Sequence, residues 1–135
     1  MTRILLLFAL PLAACSPEVA SPGLAGSYSG ESRDRLCIGG EVEERRAGLI
    51  VYGASDPNCS ASGRLEKADA GLSLIPAGDR ECRIPLSVRG NVVTIGQVPA
   101  TCSYYCGPGA TMTGKSFTKD AATTPVTDFA GDPLC

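Results

Sequence analysis

Seven cysteines, at positions 15, 37, 59, 82, 102, 106 and 135, hold most of the reactive chemistry in this 135-residue chain. Thiols ligate metals, attack carbonyls, accept lipid or pair as disulfides, and spacing separates these fates. No Cys-x-x-Cys pair occurs, so the ligand spacing of a Cys-only zinc site is missing. Histidine is absent altogether. That removes Ser-His-Asp and Cys-His catalysis, His-ligated metals and a His-based pH switch together. An odd cysteine in an exported chain needs its own explanation. With Cys15 set aside, Cys37, Cys59, Cys82, Cys102, Cys106 and Cys135 can form three disulfides in fifteen possible connectivities.

Paired carboxylates are the other route to chemistry, since burial can drive their pKa values apart for acid–base work. Glu41, Glu43 and Glu44 form one cluster, and Asp79 with Glu81 another. Arg45, Arg46, Arg80 and Arg83 lie beside them, so the expectation is neutralised surface pairs. Ser116-Phe117-Thr118-Lys119 has the S-x-x-K spacing of a serine nucleophile, yet the S-D-N and K-T-G elements that accompany it are absent. Lys115 and Lys119 read instead as solvated residues at a strand end. Asn58-Cys59-Ser60 fits a glycosylation sequon, and behind Asp56-Pro57 it reads as a turn. The expectation is a non-enzymatic protein without metal or cofactor.

Cys102-Ser103-Tyr104-Tyr105-Cys106-Gly107-Pro108-Gly109-Ala110 is the most distinctive stretch. Read as an extended segment, it puts Tyr104 and Tyr105 on opposite faces and the two cysteine Cα atoms ~13 Å apart, too far for a mutual disulfide. Each cysteine then bonds elsewhere. A Gly-Pro-Gly loop carrying tyrosine can serve as a recognition surface or as a stapled corner.

The elements that must position these residues begin with a targeting pattern. Arg3 precedes an apolar stretch, Ile4 to Leu10 with Leu12, broken by Pro11. At about ten residues it is too short to span a ~30 Å hydrocarbon core. The run Leu12-Ala13-Ala14-Cys15 that closes it resembles the lipobox of bacterial lipoproteins. That resemblance implies removal of residues 1–14, a diacylglyceryl group on the Cys15 sulfur and an acylated amine. It accounts for the odd cysteine. Ser16 rather than Asp at the next position implies outer-membrane retention under the enteric sorting rule. The implied address is the bacterial cell envelope, with the protein lipid-anchored and facing the periplasm or the surface.

Residues 15–25 follow as lipidated Cys15 and a tether, where Pro17, Pro22 and Gly23 interrupt any periodicity and the reach is at most ~35 Å. Residues 26–119 read as an all-β domain. Sixteen Gly and ten Pro argue against long helices. Strand candidates are Gly26–Arg33, Glu43–Tyr52, Ser60–Lys67, Gly71–Pro76, Thr101–Tyr105 and Thr111–Phe117. The clearest hairpin pairs Cys82–Val88 with Val92–Ile95 through Arg89-Gly90-Asn91. Its apolar face is Cys82, Ile84, Leu86 and Val88, and Pro85 suits an edge or a bulge. About eight short antiparallel strands predict a small barrel or sandwich, linked by disulfides. Residues 120–135 read as an irregular tail pinned by Cys135. The formal charge of −2 gives no electrostatic reason to expect nucleic acid as a partner.

Gly26-Ser27-Tyr28-Ser29-Gly30, opening a disulfide-linked β domain behind a lipobox and tether, is similar in plan to membrane-bound lysozyme inhibitors of the c-type. Those proteins bind lysozyme through a loop-borne serine and a basic residue. Gly109-Ala110 with Lys115 matches part of that loop, whereas the tryptophan frequent in the family is absent here. The resemblance implies a binding lipoprotein whose partners are the membrane, through its anchor, and a protein or envelope ligand. The expected binding surface comprises Tyr104, Tyr105 and Lys115. The alternative is a structural or assembly component of the envelope.

Overall fold

The computed structural model describes residues 23–54 and 58–135. The expected signal segment, Cys15, most of the expected tether and the turn expected at Asp56-Pro57 lie outside the described residues. Eight strands run β1 (Gly26–Ser29), β2 (Arg35–Gly39), β3 (Arg46–Tyr52), β4 (Asn58–Ala68), β5 (Gly71–Pro76), β6 (Ile84–Arg89), β7 (Val92–Ile95) and β8 (Ser116–Lys119). Each pairs antiparallel with the next, and β8 returns to β1 with Tyr28 opposite Lys119, so the sheet closes as a barrel. Of the two architectures the sequence allowed, this is the one without an open sheet edge.

Closure follows from the alternation. Leu36 and Ile38, then Ala47, Leu49 and Val51, then Cys59 and Ala61 point inward, followed around the barrel by Leu74, Ile84, Leu86, Val93, Ile95 and Phe117. Most of them are fully buried. An eight-stranded barrel has an interior just wide enough for side chains to fill, and here they fill it. Small residues allow the strands to approach. A Cβ at Gly63 would stand 1.9 Å from the Ile75 carbonyl oxygen.

Three disulfides complete the fold: Cys37–Cys135, Cys59–Cys106 and Cys82–Cys102. Beyond β8 the tail carries no strand, and its Thr127 and Pro133 form an isolated bridge. Val126 and Leu134 pack with Cys37 and Ile50 in a small apolar cluster on the outer wall. A clamp holds the start of the tail. Ser27 and Ser29 each donate to Asp120 at 2.7 Å, and Arg35 reaches Asp120 at 3.1 Å and Thr124 at 2.6 Å.

Several local expectations are corrected. The segment Gly26–Arg33 is not one strand. It turns at Gly30, whose N–H donates to the Asp34 carbonyl at 2.8 Å, with Ser32 at a φ of 55°. The chain then continues as β2, which offers only Leu36 and Ile38 as an alternating apolar pair. Strand β3 starts at Arg46 because Glu41–Glu44 closes a turn, the Glu44 N–H donating to Glu41. The β6–β7 turn has two residues, Gly90-Asn91, since Arg89 pairs with Val92. Gly90 takes the positive φ that such a turn requires. Pro85 is not on an edge. Its carbonyl accepts from Gly96, so its missing donor faces β7 just where that strand has ended.

The stretch Thr101–Tyr105 is not a strand. Residues Ala100–Tyr105 form a short 3₁₀ helix, η1, and the strand expected at Thr111–Phe117 is displaced to Ser116–Lys119. Pro99 opens η1 and removes one ladder donor. Its Cys102 is tied to Cys82, and Cys106 directly after it to Cys59, which imposes the turn whatever the local propensity.

Candidate functional site

The barrel has two distinct ends. Gly23 and Leu24 lie at the entry end, where Lys119 Nζ donates to the Gly23 carbonyl and Tyr28 Oη to that of Leu24. At the other end the β7–β8 connection, containing η1, is joined to Cys59 at the start of β4 and to Cys82 just before β6. This is the capped end.

Three residues per turn distribute the side chains of η1. Cys102 is buried and Tyr105 packs against the core, while Ser103 lines a cleft. Tyr104 projects outward and is 88% exposed. Its ring stands edge-on to Tyr105 with centroids 5.3 Å apart. Tyr105 is itself held, because its hydroxyl donates to Asp79 Oδ2 at 2.9 Å. The other oxygen of Asp79 accepts the backbone N–H groups of Glu81 at 2.9 Å and Cys82 at 3.2 Å. These bonds, led by that from Tyr105, hold the Asp79 carboxyl below its ordinary range. Burial, reinforced by Asp79, pushes the Tyr105 phenol up to about 12. The sequence put both tyrosines at one site, and the structure brings them together with different roles. Tyr105 fixes the corner and Tyr104 presents itself.

Beside η1 a cleft of about 450 Å³ is bounded by Pro99, Ser103, Pro108, Thr111 and Met112, among others, and no charged side chain lines it. Gly109 and Ala110 belong to this cleft. Lys115 does not. Its Nζ lies 3.6 Å from both Glu31 Oε2 and Asp34 Oδ2, in a separate cleft with Ser32 and Arg33. Asp34 is only 3% exposed and also accepts the Tyr52 N–H at 2.8 Å. Lys115 and Gly109-Ala110 therefore line different clefts, and the carboxylates beside Lys115 are not the one that Tyr105 bonds.

Ser116 and Lys119 are tied up in the fold. Ser116 shares a 2.8 Å hydrogen bond with Thr94, and Lys119, three residues further along a period-two strand, points to the opposite face. Glu66 is bridged by Arg64 and, at 3.4 Å, by Arg83, and the Arg64 hydrogen bond leads in lowering its pKa. Sequence reasoning missed Arg33, Tyr52 and Phe129. The Arg33 guanidinium carbon lies 4.1 Å over the Tyr52 ring, and Phe129 meets that ring edge-on at 5.4 Å. No local pattern could have joined residues so far apart in the chain. Comparison with known proteins finds no matching family model, no similar curated protein and no similar solved structure.

Proposed function

We propose that this protein is a lipid-anchored envelope lipoprotein that binds a protein or envelope ligand through the capped end of its barrel and catalyses no reaction. An inhibitor of an attacking lysozyme-type hydrolase is the specific form of this reading. One observation carries it: an almost fully exposed tyrosine sits on a short helix held by one disulfide within it and another just after it. Rigid, exposed aromatics make large contacts at little entropic cost, and tyrosine is enriched among binding hot spots. The chain enters the barrel at the opposite end. An anchor on Cys15, exceeding the two-signal requirement for stable membrane attachment, would leave the capped end available to a partner.

The test is inhibition of c-type lysozymes by the lipidated protein in detergent. Inhibition is expected, weakened by tenfold or more in Tyr104→Ala, because loss of a central aromatic anchor costs ~2 kcal/mol or more. The thermal midpoint of that variant should be unchanged, since its ring is exposed. No inhibition of any lysozyme would sink the inhibitor form, and crosslinking in cells would then identify the envelope partner.

A further inference from the structure

We propose that Cys37–Cys135 is a thiol-accessible latch whose opening releases the C-terminal tail and dismantles a cleft formed with Arg33 and Tyr52. The three disulfides differ in how exposed their cysteines are. Cys82 and Cys102 are 0% and 1% exposed, and Cys59 is fully buried against half-buried Cys106. Cys135 is exposed, bonded to Cys37 at 5%. Exchange proceeds by attack of a thiolate on one sulfur, so access to that sulfur governs which bond opens first. Cys135 is the most exposed of the six paired cysteines.

Besides the bond, the segment is held mainly by two buried apolar side chains and one aromatic edge. Residues 120–124 stay clamped by the Asp120, Ser27, Ser29 and Arg35 hydrogen bonds. Past that point the main contacts are Val126 and Leu134 on Ile50 and the edge of Phe129 on Tyr52. The bridge between Thr127 and Pro133, and the turn in which Asp128 accepts from Ala130 and Asp132, are internal to the tail and would leave with it. Phe129 is the tail's contribution to a cleft of about 300 Å³ also lined by Arg33, Tyr52, Gly53 and Asn58. Opening the latch removes that wall.

The reductant is a dithiol. Its thiolate attacks the Cys135 sulfur, a mixed disulfide forms, and Cys37 departs with the bonding electron pair and takes up a proton. The second thiol then attacks its own half of the mixed disulfide and frees the Cys135 thiol. The dithiol ends as a cyclic disulfide, and two electrons and two protons have passed to the protein.

Limiting dithiothreitol on the full chain, quenched by alkylation and mapped by mass, tests the order. Cys37 and Cys135 should be alkylated about tenfold sooner than the other four paired cysteines, on the basis of access. Earlier opening of either other bond, or simultaneous opening of all three, overturns the proposal. Hydrogen exchange then tests release. In protein reduced at this pair alone, and in Cys135→Ser without reductant, amides from Val126 to Cys135 should exchange faster while the eight strands stay protected. A tail still protected, or a barrel that loosens with it, refutes the latch.

Discussion

Asp79, Tyr105 and Asp120 show how single groups tie distant segments together and make stability depend on pH. Asp79 and Asp120 both carry lowered pKa values, the first chiefly through the Tyr105 hydroxyl and the second through Ser29 and then Ser27. A carboxylate held low in the folded state contributes stability above its ordinary pKa and loses it as pH falls through the lowered value. For Tyr105 the folded value is raised from 10.0 to about 12. Its contribution is complete below the ordinary phenol pKa and disappears as pH rises towards 12. The thermal midpoint should therefore fall on both sides, in acid and in strong alkali. Asp79→Asn and Asp120→Asn should each reduce the acid-limb loss, and Tyr105→Phe the alkaline one, in melting curves measured across pH. Unaltered limbs in these variants would exclude the assigned groups. The cysteines were visible as a set of six from parity alone, but which sulfur meets which depends on the path of the chain between them.

At the level of elements, strand β5 and the β6–β7 hairpin were legible because alternation and turn residues agree there. The β1–β2 turn and η1 were not. Leu36 and Ile38 are too few to announce a strand, and η1 is set by two disulfides whose partners lie 20 and 47 residues away in sequence. Such a tertiary constraint overrides the extended preference of adjacent tyrosines. The close approach of β4 and β5 was likewise invisible. Gly63 pairs with Pro76, and the backbone of Ile75 occupies the space a methyl group would need. Gly63→Ala should destabilise the barrel by about 3 kcal/mol or prevent folding, as overpacking against backbone leaves no side chain to move aside. Urea unfolding measures this, and a loss below about 0.5 kcal/mol, the range of neutral surface changes, would contradict the packing.

At the scale of the whole molecule, two ends and an outer wall divide the work. The capped end gathers η1, Tyr104 and the uncharged cleft, and the outer wall under the tail is a second, smaller apolar cluster. On the proposed anchoring, Cys15→Ala should abolish lipid labelling and shift the protein from the membrane to the soluble fraction. Membrane retention with lipid still attached would contradict it. The same substitution should leave the thermal midpoint of the barrel unchanged, because Cys15 is outside all three disulfides.

The sequence by itself determined the class of this protein: an all-β domain of about eight short strands, with six cysteines for three bonds. Those features are local, since alternation, turn residues and cysteine parity act over a few residues or none at all. Tertiary structure alone decided that the sheet closes into a barrel and that Tyr104 is presented while Tyr105 is bound. It also placed Lys115 beside Asp34 and Glu31. The physical reason is that these outcomes rest on contacts across the barrel and through disulfides, where the neighbours of a side chain are far from it in sequence.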